Sequence, residues 1–144
     1  MAGKTITNPV GAYGVTGLDQ TGFQETAQFT VSTAAIAAKQ VVQIDTSGTA
    51  VRVATTTPNT LQCGISLTGG AVGQVINVAI QGAVGAVPYT GTAPVAGDVL
   101  IQSATTAGRV AVSNTPGLGQ SIGIAVGAGA AGVVDVWLGA KYLS

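Results

Sequence analysis

The chain has 144 residues, with five Lys+Arg against five Asp+Glu, no histidine and a single cysteine. That length suits one domain or two fused halves, with enough chain to bury a core. So few cations give no basic patch to neutralise phosphates, which argues against nucleic-acid binding, and the missing histidine and paired cysteines argue against a metal centre or a nucleophile–base pair.

Residues 1–33 carry Gly3, Gly11, Gly14, Gly17, Gly22 and Pro9, with Tyr13, Phe23 and Phe29 among Thr and Gln. No helical period is present, and no apolar run marks a secretory signal. The stretch 24–31 alternates, Ala27, Phe29 and Val31 against Gln28 and Thr30, and is predicted as a strand. Residues 1–22 read as an extended arm. Their glycines oppose independent folding, since glycine loses the most backbone entropy on ordering. Yet Ile6, Val10, Tyr13, Val15 and Leu18 are too apolar for a spacer, and Lys4-Thr5-Ile6-Thr7 alternates as a segment that adds to a strand edge. Lys4, Ile6, Val10, Tyr13 and Leu18 are therefore the expected contacts of an arm that orders on a partner.

Beyond the arm, residues 34–39 could form one helical turn. Strands are predicted at 41–45 and 50–55 around a Thr46-Ser47-Gly48 turn, at 61–67, and at 74–80. In 61–67, Leu61, Cys63, Ile65 and Leu67 alternate with Gln62, Gly64 and Ser66. In 74–80, Ile76, Val78 and Ile80 share a face. A link, 83–94, contains a candidate strand near 84–89. The plan then repeats as strands at 98–102, 108–113, 120–126 and 132–138. Ala38-Lys39-Gln40-Val41-Val42 matches Ala96-Gly97-Asp98-Val99-Leu100, and Arg52-Val53-Ala54 matches Arg109-Val110-Ala111. GISLTGGAVGQVINVAIQG from Gly64 matches GIAVGAGAAGVVDVWLGA from Gly123, at a step of about 58 residues. The expectation is an all-β fold: a small barrel or sandwich spanning 34–144, built from two similar β units at 34–82 and 94–140, behind an arm and first strand at 1–33. The two copies should share one core, with Val53, Ile65 and Val78 buried along with Val110, Ile124 and Val136.

Several motifs dissolve on inspection. Gly127-Ala-Gly129-Ala-Ala-Gly132 matches a dinucleotide-binding pattern, but β-branched residues follow it instead of a helix. The stretch 122–140 has the length of a membrane span, but its glycines, its β-branched residues and Asp135 favour two strands around a turn. Cys63 alternates with Leu61 and Ile65 and reads as a small hydrophobe. Asp19 and Glu25 lack the pairing a general acid and base require. No catalytic residue, metal ligand or cofactor is expected, and the chain reads as non-enzymatic. Trp137 shares a face with Asp135, opposite Val134, Val136 and Leu138, and is either a partly covered aromatic or an anchor in a subunit contact.

Charged residues are 7% of the chain and mean hydropathy is +0.52, so little repulsion keeps copies apart. A homo-oligomer is expected, with Trp137 and Tyr142 as candidate interface residues. At Ala96-Gly97-Asp98-Val99-Leu100, Gly108-Arg109-Val110, Ile122-Gly123-Ile124-Ala125 and Gly132-Val133-Val134-Asp135-Val136-Trp137-Leu138, the chain resembles the tailed-phage capsid decoration (cement) proteins of the DUF2190 type. The first copy has Lys39-Gln40 where the second has Gly97-Asp98. The resemblance implies a structural virion protein made in the host cytoplasm. It would sit on the outer surface of an icosahedral head, commonly as a trimer, and brace neighbouring major capsid protein subunits, without nucleic acid or membrane as partner. The other reading is a carbohydrate- or ligand-binding β module of a cell surface or tail fibre. Such modules expose aromatic platforms, and only 4% of this chain is aromatic.

Overall fold

The computed structural model describes residues 24–45, 50–57 and 61–139. Among them there is no helix, only strand, turn and bend. The strands are β1 (Gln24–Val31), β2 (Val41–Ile44), β3 (Ala50–Val53), β4 (Gln62–Ser66), β5 (Val75–Pro88), β6 (Val99–Gln102), β7 (Val110–Val112), β8 (Gly123–Ala125) and β9 (Val133–Leu138). They follow the β-branched runs, where stiff side chains pack well on a pleated surface.

β5 organises the fold. Its first half pairs antiparallel with β1, from Thr30↔Val75 to Gln24↔Gly82. β4 joins its other edge at Ile65↔Ala79 and Ser66↔Val78. With β3 parallel to β1 and β2 between β3 and β4, the order β1-β3-β2-β4-β5 closes on itself as a five-stranded barrel. The second half of β5 then pairs with β9, from Gly82↔Leu138 to Pro88↔Val133. The order β5-β9-β8-β6-β7 follows, and a parallel bridge, Tyr89↔Val110, brings β7 back to the end of β5. Gly82 thus has β1 on one side and β9 on the other, at φ 95°, a left-handed conformation that glycine adopts without strain. The stretch 83–94, expected as a link, is strand through Pro88. β1, expected outside the repeated units, is a wall of the first barrel.

The pairings of the first barrel recur in the second set. Val42↔Gly64 has its counterpart in Leu100↔Gly123, and Ile65↔Ala79 in Ile124↔Trp137. Ser32 N–H donates to the Val51 carbonyl at 2.9 Å, as Thr90 N–H does to that of Val110 at 2.9 Å. The Lys39-Gln40 and Gly97-Asp98 pairs, unlike in sequence, make the same turn. Lys39 and Gly97 both have positive φ, 68° and 92°. Gln40 Oε1 accepts the Ala37 N–H at 2.9 Å, and Asp98 Oδ2 accepts the Val95 N–H at 2.9 Å. Each side chain satisfies the donor three residues back and starts the next strand.

Two apolar clusters hold the molecule. One fills the first barrel: Val31, Val42, Val51, Ile76 and Val78, with Ile36 closing an end. Residues 34–39 are bend and turn, not helix, because the Ile36 backbone exchanges hydrogen bonds with Gly70 while its side chain is buried. The other cluster joins the inward side chains of the second set, such as Leu100, Val110, Val134 and Val136, to Val41, Ala54, Ile65 and Ala79 from the outer side of the first barrel. The expectation of one shared core is corrected to two clusters, the second formed where the units meet. Glutamines complete that junction. Gln62 Nε2 donates to the Gln120 carbonyl at 2.6 Å, and Gln102 Nε2 to those of Thr55 and Thr57 at 2.6 and 2.8 Å. The expected alternation in 61–67 fails for this reason. A register shift between Val42 and Gln43 lets Gln62 turn inward, while Leu61 is exposed.

Gly64 and Gly123 occupy matching places where strands approach closely. A Cβ on Gly64 would collide with the Ala79 carbonyl oxygen, and one on Gly123 with that of Trp137. Both contacts are backbone, which yields little. Gly64→Ala and Gly123→Ala are each expected to destabilise the fold by about 1–3 kcal/mol, read as a lower urea midpoint with unchanged slope.

Candidate interaction surface

Among the described residues no three His, Cys, Asp or Glu side chains come together as a metal site. A groove of about 310 Å³ lies beside the end of β5 and is lined by Thr90, Thr92, Ser103, Thr105 and small residues. Its hydroxyls bond one another: Thr90 Oγ1 and Ser103 Oγ are 2.6 Å apart, and Ser103 Oγ also accepts the Thr105 and Thr106 N–H groups. No aromatic ring or charge lines it. Such a groove offers a sugar no stacking platform, and it contains no group able to move a proton near neutral pH.

The surface itself is the more informative feature. β6, β8 and β9 turn one side to the second cluster, through Leu100, Ala125, Val134, Val136 and Leu138. The opposite side carries Val99, Ile124 and Trp137, aligned by the pairs Val99↔Ile124 and Ile124↔Trp137. Ile124 is 37% exposed and Trp137 44%. Val126, 39% exposed, follows Ile124 on the same side. Asp135 supplies a carboxylate there, and its Oδ1 accepts the Ala86 N–H at 2.9 Å. Ile124 was expected in the core with its counterpart Ile65. The strands agree, but the second unit covers Ile65 and nothing among the described residues covers Ile124.

The backbone at this end is closed by a side chain. Val99 N–H donates to Asn114 Oδ1 at 3.2 Å. In the first unit the matching N–H, on Val41, donates to the Gly108 carbonyl of the second unit at 2.8 Å. Asn114 thus stands where another unit's carbonyl stands in the first barrel, so the Val99 N–H is already paired.

Of the residues proposed from sequence, Trp137 is placed as alternation predicts: on β9, beside Asp135 and opposite Val134, Val136 and Leu138. Lys4, Ile6, Val10, Tyr13 and Leu18 of the arm, and Tyr142, lie outside the described residues. Gln24, the first described residue, pairs with Gly82, and its Nε2 donates to the Ala83 carbonyl at 2.8 Å, at the junction of the two units. Sequence reasoning missed the Val99–Ile124–Trp137 row because it follows from cross-strand register.

No family model matches the chain, and no curated protein matches it. Solved structures share the fold. The head fibre gp8.5 N base of bacteriophage phi29 superposes with a TM-score of 0.59 at 16% identity, over 83% of this chain and 99% of that one. A chain from the capsid of Myoviridae phage XM1 superposes with a TM-score of 0.61 at 16% identity, over 82% of this chain and 84% of that one. At that identity the likeness is one of fold.

The Asn114 cap gives a local test. Asn114→Ala removes the acceptor of the Val99 N–H at an exposed site. It is expected to cost about 1 kcal/mol, read as a lower urea midpoint with unchanged circular dichroism.

Proposed function

We propose that this chain is a structural virion protein of a tailed phage: a decoration protein that binds the outside of the icosahedral head and stabilises contacts between major capsid protein subunits. The observation that carries this reading is the fold, shared over 99% of the phi29 head-fibre base and over 84% of the phage XM1 capsid chain. Composition supports it. The chain has few charges, no histidine and a groove without reactive groups, which suits a static assembly part better than an enzyme. The proposed form is a homotrimer, the number three resting on the resemblance to cement proteins.

In this reading residues 1–22 attach the protein to the shell. They precede Gln24, the first residue of β1, which pairs with Gly82 at the junction of the two β units. Lys4-Thr5-Ile6-Thr7 pairs with an exposed strand edge of the shell through main-chain hydrogen bonds, while Val10, Tyr13 and Leu18 fill neighbouring hollows. Ordering a glycine-rich segment costs free energy, so one arm binds weakly. Three arms on one trimer raise the overall affinity through effective concentration.

Deletion of residues 1–22 tests the reading. The truncated protein should keep its circular dichroism and its oligomeric mass, yet bind undecorated heads more than about 100-fold less tightly in co-sedimentation. Unchanged decoration would move the binding surface to the β body. Failure of the full-length chain to bind any head would remove the decoration role.

A further inference from the structure

The two units differ where they should be most alike. Val41, Ile65 and Ala79 form a row across β2, β4 and β5, and each is 0% exposed because the second unit lies over them. The matching row on β6, β8 and β9 is Val99, Ile124 and Trp137. With nothing among the described residues over it, this row would be expected to turn polar. It becomes more apolar instead. Ala79 is replaced by the chain's single tryptophan. The next pair outward, Gln43↔Arg52 in the first unit, is Ile101↔Ala111 in the second. A small residue, an amide and a guanidinium on the face covered within the chain give way to Trp, Ile and Ala on the face that is not.

We infer that the Val99–Ile124–Trp137 face of the second unit is an interface covered by a second copy of this chain. The inference rests on the homo-oligomer of the proposed function and names the face that makes it. The occupant is indicated by the molecule itself. The one surface of this type whose cover is visible, that of the first unit, is covered by a unit of the same fold. Self-association also meets little electrostatic opposition. The full chain has a net charge of zero, and the neighbouring carboxylates are already hydrogen-bonded, Asp135 to the Ala86 N–H and Asp98 to the Val95 N–H. The contact differs from the internal one in one respect. Asn114 satisfies the Val99 N–H, so the second copy adds no backbone hydrogen bond there and is held by side-chain packing. A tryptophan flanked by branched aliphatics is the kind of anchor that dominates such interfaces.

Because Trp137 is the only tryptophan, its fluorescence reports the face directly. The full-length protein is diluted from about 100 μM to below 1 μM, with mass followed by light scattering and sedimentation and with no phage shell present. The expected result is an oligomer whose emission is blue-shifted when concentrated and shifts red as the mass falls. Ile124→Asp, at an exposed position, should weaken association at least about 30-fold while leaving circular dichroism unchanged. Trp137→Gln serves as the second variant and should do the same by mass alone. An oligomer whose mass resists both variants overturns the assignment of this face and leaves the homo-oligomer standing. A monomer throughout, with red emission independent of concentration, overturns both. Emission that shifts blue only when phage heads are added identifies the shell as the occupant and also overturns the inference. Capsid attachment by the arm is read in a separate assay, so its failure cannot be mistaken for failure here.

Discussion

The molecule depends on one continuous strand having partners along both edges. β5 closes the first barrel with its first half and opens the second set of strands with its second half. The change of partner occurs at Gly82, flanked by Gln24 on one side and Leu138 on the other. Backbone N–H and C=O groups must be paired when buried, and most of those along this strand lie in buried surroundings. The irregularities on β5 serve the same end. The register shift between Val84 and Val87 places Ala86 at positive φ, and the Asp135 carboxylate accepts its N–H. Lys39 Nζ donates to the neighbouring Gly85 carbonyl at 2.6 Å. A bulge that would leave polar groups unpaired is thus satisfied by two charged side chains from different units.

Much of the fold was legible in the residues. The β-branched runs at 24–31, 41–45, 50–55 and 133–138 lie close to observed strands, because alternation and stiff side chains carry the strand signal over short distances. What escaped was whatever depended on the third dimension. Gln62 is buried and Leu61 exposed because β4 carries an extra residue, Cys63, opposite the Val42–Gln43 step of β2, and alternation alone contains no sign of it. Ile65 and Ile124 look equivalent in sequence and are equivalent in pairing, yet one is covered and the other is not. Burial of a strand's second face depends on what lies across from it. The stretch near 84–89 was recognisable as strand material, but its union with 74–80 into one long strand was masked by glycines at 82 and 85, which usually signal a break.

The candidate surface was half legible. Trp137 drew attention as the sole tryptophan, and its place beside Asp135 followed from period two. Val99 and Ile124 could join it only through cross-strand register, which a single sequence does not print. Lys39-Gln40 and Gly97-Asp98 align in the sequence, but their shared turn was not evident from it, for a chemical reason. A lysine and a glycine both occupy the left-handed region there, and a glutamine and an aspartate both satisfy the donor three residues back. Different side chains perform one geometric task, so residue identity understated the kinship of the two turns.

The shared strand also constrains how the chain is made. Gln24 waits for Gly82, and Gly82 waits for Leu138, so both closures join residues far apart in sequence. Pairings of that kind form slowly, because a long loop must be ordered before any contact rewards it. During synthesis the first barrel can close once β5 has emerged, but Ala83, Val84 and Val87 then present an apolar strand with an open edge until β9 follows. Chains stalled or cut before residue 133 carry the half-built strand as a template for pairing with one another. For this architecture the hazardous species is the incomplete nascent chain, and β9 is the strand that removes the hazard.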